Sequence, residues 1–140
     1  MPTTRTAAAA ALALALTIPA VAPAATGGKY KGETEQERPV TFKVSKGKVK
    51  SFEGGINVFC IGSGIEFNAV IPPKAMKLKK GGKFSYEGRD KIDSTNIEIK
   101  GKVKGKKASG SISMTYSQYD ASSGQFTGCS GKAKFKAKRK

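Results

Sequence analysis

Residues 97–116 read IEIKGKVKGKKASGSISMTY, and this run decides the fold. Ile97, Ile99, Gly101 and Val103 alternate with Glu98, Lys100, Lys102 and Lys104. Past a turn at Lys106 and Lys107, Ala108, Gly110, Ile112, Met114 and Tyr116 alternate with Ser109, Ser111, Ser113 and Thr115. A period of two sends each set to its own side of an extended strand, so both halves read as strands with one apolar and one solvated face. The pattern recurs outward from this pair. Val40, Phe42 and Val44 alternate with Thr41 and Lys43; Ile65, Phe67, Ala69 and Ile71 with Glu66, Asn68 and Val70; Ala133, Phe135 and Ala137 with Lys132, Lys134, Lys136 and Lys138. Between them stand turn formers such as Lys46-Gly47, Gly54-Gly55, Gly62-Ser63-Gly64, Pro72-Pro73, Gly81-Gly82 and Ser122-Ser123-Gly124. No segment after residue 25 keeps an apolar stripe at helical spacing. The expected fold is all-β, a single antiparallel β-sandwich or flattened β-barrel of about eight or nine strands.

Residues 1–24 read differently. Arg5 is their only charge, residues 7–18 are an apolar run, and Ala22-Pro23-Ala24 supplies an A-x-A cut site. The run would rise only about 18 Å as a helix, short of the ~30 Å core of a bilayer. These are the marks of a secretory signal peptide. Cleavage after Ala24 leaves residues 25–140 as one exported domain, extracellular or associated with the cell envelope, with no transmembrane segment in the mature chain. In an oxidising compartment Cys60 and Cys129 are expected to form a disulfide. Cys60 shares parity with Ile56 and Val58, and Cys129 with Ala133, Phe135 and Ala137, so both sulfurs should face the core and bridge across it.

Segments 27–50 and 81–104 align without a gap and agree at ten positions, which an ancient duplication would explain. Most identities are Gly or Lys, however, and the apolar parity slips by one residue between the copies. The run GKYKGETEQERPVTFKVSKGKVKSF, the mid-chain Cys60, GGKFSY, IKGKVKGKKASGSI and the late GCSGKAKFKAK together resemble a group of small exported proteins of high-GC Gram-positive bacteria. That resemblance implies a secreted β-domain and carries no catalytic residues. PPKAMKLKK and the acidic Glu33, Glu35 and Glu37 depart from the pattern; alternating, these three Glu are expected to line one face of a strand and balance neighbouring Lys.

Charge is the main compositional anomaly. The 140 residues hold 26 Lys+Arg against 10 Asp+Glu, a formal +16, and loss of Arg5 with the leader leaves +15. Lys100, Lys102 and Lys104 share one strand face, Lys106 and Lys107 follow at the turn, and Lys132, Lys134, Lys136 and Lys138 line another strand. Were these strands neighbours, their ammonium groups would sum into a face attractive to polyanions. The predominance of Lys over Arg favours diffuse attraction over bidentate phosphate reading. The competing explanation is that these lysines only keep strand faces soluble and edges unpaired. The expected function is therefore non-catalytic binding of an anionic polysaccharide or wall polymer. Sequence-specific nucleic-acid recognition is not expected, since most aromatics share parity with core residues and the candidates for exposure, Phe52, Phe59, Tyr119 and Phe126, form no regular stacking series.

Catalytic motifs fall away. The chain has no His, which removes His-dependent triads and His-ligated zinc. Ser45-Lys46-Gly47-Lys48 satisfies S-x-x-K outside the helix that chemistry needs, and residues 101–106 lack phosphate-loop spacing. Glu66, Glu87, Glu98, Asp90 and Asp93 are available for acid–base work on a sugar, leaving a His-free carbohydrate-active enzyme as a weak alternative. Asp90, Asp93 and Asn96 lack EF-hand spacing, and no metal or cofactor is expected. A stronger alternative is an interaction or inhibitor protein acting through the long segment 71–82.

Overall fold

The computed structural model describes residues 25, 27–90 and 94–140; the expected leader, residues 1–24, and Asp93 lie outside the described residues. The alternating runs are strands: β1 (Gly28–Thr34), β2 (Pro39–Ser45), β3 (Lys48–Cys60), β4 (Gly64–Val70), β5 (Met76–Lys77), β6 (Lys83–Arg89), β7 (Asn96–Lys104), β8 (Lys107–Asp120) and β9 (Gln125–Arg139). They pair antiparallel in one sheet ordered β4-β3-β2-β1-β9-β8-β7-β6, with β5 added to β3. Lys46 and Gly47, at φ 49° and 68°, make the left-handed pair that a two-residue type I′ hairpin requires between β2 and β3.

The β8–β9 hairpin closes on a carboxylate. Asp120 accepts hydrogen bonds from the Ser122 hydroxyl at 2.6 Å, the Ser123 hydroxyl at 2.8 Å and the Ser122 amide at 2.9 Å. Led by the Ser122 hydroxyl, these donors lower its pKa from 3.8 to about 2. A folded value below the unfolded one means the turn is fully supported above about pH 4 and loses that support as pH falls through 2. The Ser122 amide resonance should therefore titrate with a midpoint about 2, and Asp120→Asn should abolish the titration.

One topological feature bends the sheet. β3 and β9 are hydrogen-bonded neighbours at Phe59↔Ser130 and Cys60↔Cys129. Toward their other ends the β1–β2 hairpin is inserted between them. The two long strands thus diverge from one strand spacing to three, roughly 14 Å, and the sheet curls around its wider end. One continuous antiparallel sheet, with β4 and β6 as its edges, thus wraps the core. Phe84 of β6 comes within 5.9 Å of Phe42 and 6.5 Å of Phe52, ring centre to ring centre. Tyr30 stacks on Phe42 at 5.0 Å, and its hydroxyl donates to the Gly105 carbonyl at 2.8 Å.

The long β3 stays apolar on its inner side by means of a bulge. Thr41 pairs with Glu53 but Lys43 pairs with Lys50, so β3 holds one residue more than β2 here, and Ser51 sits at φ 49°. The extra residue turns Phe52 inward beside Val49, after which Ile56, Val58 and Cys60 follow in step. Phe52, which the sequence leaves as an exposed candidate, is buried.

Register also aligns Phe84, Gly101, Gly110 and Phe135 across β6, β7, β8 and β9. The two glycines let the phenyl rings lie on neighbouring backbone. A methyl group at Gly110 would run into the Phe135 ring and the Lys100 carbonyl oxygen. Gly110→Ala should therefore lower stability by about 2 kcal/mol through overpacking, read as a lower urea midpoint at unchanged slope.

Four expectations change. The Cys60–Cys129 disulfide is present, with both residues buried, but it joins adjacent strands, Cα to Cα 4.1 Å, instead of crossing the core. The aligned segments do not fold alike: Gly47 lies in the β2–β3 turn, whereas its counterpart Gly101 lies inside β7. Glu33 lies on β1, but Glu35 and Glu37 fall in the turn after Thr34, so the three do not share a strand face. Lastly, β4 is inverted. Ile65, Phe67, Ala69 and Ile71 face out, while Glu66 and Asn68 are half-buried. Segment 71–82 is tied down by β5, by Leu78 donating its amide to Gly47, and by buried Met76.

Candidate functional site

Strand order settles whether the lysine rows are neighbours. β7 and β9 flank β8, and all three present their alternate residues outward. Register places Lys104, Lys107, Lys138 and Lys31 side by side across β7, β8, β9 and β1. Two residues further along, Lys83, Lys102, Ser109, Lys136 and Glu33 align. Then come Ser85, Lys100, Ser111 and Lys134, and after them Glu87, Glu98, Ser113 and Lys132. The arrangement is a ribbon: two lysine rails on β7 and β9, roughly 9.6 Å apart, over a floor of serine hydroxyls. Along each rail ammonium groups recur about every 6.8 Å. The surface is a shallow depression of about 1380 Å³, and Lys31, Lys83 and Glu33 stand on its rims. The buried rings of Phe84 and Phe135 lie beneath it and hold its strands in place.

Of the expected residues, Lys100, Lys102, Lys104, Lys107, Lys134, Lys136 and Lys138 line the depression. Lys132 extends the β9 rail toward the carboxylates, and Lys106 sits at the tip of the β7–β8 turn. Lys31, Lys83, Ser109 and Ser111 were not anticipated as part of it. Their signal lay in parity, since Lys31 and Lys83 adjoin the buried Tyr30 and Phe84.

Like charges directly opposite on neighbouring strands repel, so the Lys104–Lys107–Lys138–Lys31 row costs folding free energy. Acidic groups offset it only at the margins. Glu33 stands opposite Lys136, Glu35 accepts a hydrogen bond from the Lys134 amide at 3.1 Å, and Glu98 pairs with Lys100 at 2.9 Å. That last pair is solvent-exposed and adds little.

The candidate carboxylates are dispersed. Glu87 and Glu98 are cross-strand partners on the outer face, and Asp90 opens the β6–β7 loop, where its amide donates to Thr95. Glu66 lies on the inner side of β4 in a polar cluster that the sequence does not reveal. It accepts hydrogen bonds from the Tyr116 hydroxyl at 3.0 Å and the Ser63 hydroxyl at 3.1 Å, while Asn68 donates to Tyr116 at 3.4 Å. Burial, chiefly, and the neighbouring Glu66 raise the Tyr116 pKa, so its phenol stays protonated and serves as a donor that holds β4 over β8. Among the described residues no group of three or more His, Cys, Asp or Glu is placed to hold a metal ion, and no helix is long and apolar enough to cross a membrane. No family model, curated protein or solved structure matches the chain.

Proposed function

We propose that this is an exported, non-catalytic binding domain that holds linear anionic polymers of the cell envelope or its surroundings on the outer lysine ribbon. The observation that carries this reading is the unbroken row Lys104–Lys107–Lys138–Lys31. Lysines that serve only solubility work equally well when interspersed with Ser, Thr or Glu. Four directly opposed ammonium groups are worse for folding than that mixture, and an anion laid across them removes the penalty. A polymer lying along the strands would have a cationic rail on each side, with Ser109 and Ser111 donating from below. The signal-peptide features of residues 1–24 and the disulfide fit a place outside the cytoplasm.

The test compares salt elution of the oxidised protein from a plain sulfonate resin with elution from immobilised teichoic acid, heparin and DNA. Retention on one polymer to much higher salt than on sulfonate at matched charge density is the expected result. Release from all four at the same salt would reduce the lysines to generic charge and sink the proposal.

A further inference from the structure

Along the ribbon one composition repeats. Lys102, Ser109 and Lys136 lie side by side across β7, β8 and β9, and Lys100, Ser111 and Lys134 do so two residues further on. Lys104, Lys107 and Lys138 form the row before them, with a third lysine where the others have serine. Each row thus sets an ammonium group on either side of a central donor. The following row reads Glu98, Ser113 and Lys132. There Glu98 replaces the β7 lysine, stands opposite Glu87 and pairs with Lys100 at 2.9 Å. The track is three cationic rows long and ends on carboxylates.

The backbone fixes the period of these rows. Two residues of a strand span six main-chain bonds and about 6.8 Å. An extended polymer whose anion recurs after six bonds of its own main chain keeps step with them. Phosphodiesters joined through the three carbons of glycerol recur in that way. Their charge also sits on two non-bridging oxygens that diverge from the chain axis, one toward each rail, above the central hydroxyl. A uronic acid carboxylate hangs from one side of its sugar ring and reaches a single rail. Polyphosphate carries charge at every second bond, too closely for rows about 6.8 Å apart.

We infer that the ribbon's ligand is a polyol phosphate chain, held with one phosphodiester in each of the three cationic rows. The inference rests on the polyanion-binding reading above and narrows it to one chemistry. Single-stranded nucleic acid shares the six-bond repeat, but its bases bind by stacking on exposed aromatic rings. Phe135 is the sole aromatic among the described residues lining the depression, and it is buried beneath the lysines.

Calorimetric titration of the oxidised protein with synthetic oligomers in about 0.1 M NaCl tests this. Glycerol phosphate and hexanediol phosphate oligomers carry the same charge per phosphodiester but repeat after six and nine bonds. With the unaltered protein, the glycerol oligomer should bind about tenfold or more tighter at equal phosphate number. Its affinity should climb steeply up to three phosphodiesters and flatten beyond. Glu98→Lys converts the acidic stop into a fourth row and should move that break from three phosphodiesters to four. Ser109→Ala combined with Ser111→Ala should weaken glycerol phosphate binding about tenfold and leave elution from sulfonate resin unchanged. Equal affinity for the two spacings, or a length series without a break, would overturn the inference while leaving polyanion binding in place. Tighter binding of an oligothymidylate of equal phosphate number would overturn it in favour of nucleic acid. No preference for any of these oligomers, teichoic acid, heparin or DNA over sulfonate would remove the underlying reading as well.

Discussion

Replacing Cys60 and Cys129 together by serine should lower the melting temperature by roughly 15 °C, and a reductant should do the same to the unaltered protein. The bridge closes a loop with a sequence separation of 69 residues. In the chain-entropy description such a closure stabilises by about 4 kcal/mol. The topology makes this contribution hard to replace. β8 and β9 share fourteen register pairs, but β3 and β9 share two, and Cys60↔Cys129 is one of them. The disulfide therefore fastens the seam where the β3–β4 hairpin meets the rest of the sheet. Without it, the seam keeps the Phe59↔Ser130 pair, the Ile61 amide on the Gly128 carbonyl at 3.1 Å, and the hydrogen bonds of Tyr116 to Glu66 and from Asn68 to Tyr116. Thermal unfolding followed by circular dichroism checks this, with the double-serine variant expected to ignore reductant. An unchanged midpoint would mean that the seam is held by packing.

The alternating runs that became β7, β8 and β9 were legible because Ile99 and Val103, Ala108 and Ile112, and Ala133, Phe135 and Ala137 are buried while their Lys and Ser neighbours face outward. Cysteine parity was legible for the same reason, yet parity says only which face a sulfur takes. It does not say whether the partner lies across the core or beside it, and here it lies beside it. β4 shows the limit more sharply. Its alternation is as regular as that of β7, but the inner face at the narrow end is occupied by the Tyr116 hydroxyl, which donates to Glu66, accepts from Asn68 and leaves Ile65 and Phe67 outside. Phe52 was hidden by a different device, since the bulge at Ser51 breaks the count of two on which the reading depends. For the candidate site, the lysine rails were visible as separate rows. What made them a ribbon was β8 lying between them, and strand order is a long-range property that no local pattern carries.

That adjacency makes the strongest functional prediction position-dependent. Changing Lys31, Lys104, Lys107 and Lys138 to Gln removes the row that crosses four strands, while the same change at Lys46, Lys48, Lys74 and Lys77 removes equal charge from the β2–β3 turn and the β5 edge. If attraction depended on net charge alone, both sets would weaken binding equally, because each subtracts the same amount from the total. If the ribbon holds the polymer, the first set removes direct counterion-releasing contacts and the second removes only distant field. Retention of teichoic acid or heparin should then fall roughly 10³-fold at 0.1 M salt for the first set, with the slope of log K against log salt shallower by about 3 to 4. The second set should change affinity by less than about tenfold, since charges beyond a Debye length are largely screened. Stability should move the other way. Relieving directly opposed ammonium groups removes a few tenths of a kcal/mol of repulsion per pair, so the ribbon variant should melt no lower than the parent while binding far less. A variant that loses binding and stability together would point to disrupted strands, and equal losses from both sets would return the lysines to the role of solubilising charge.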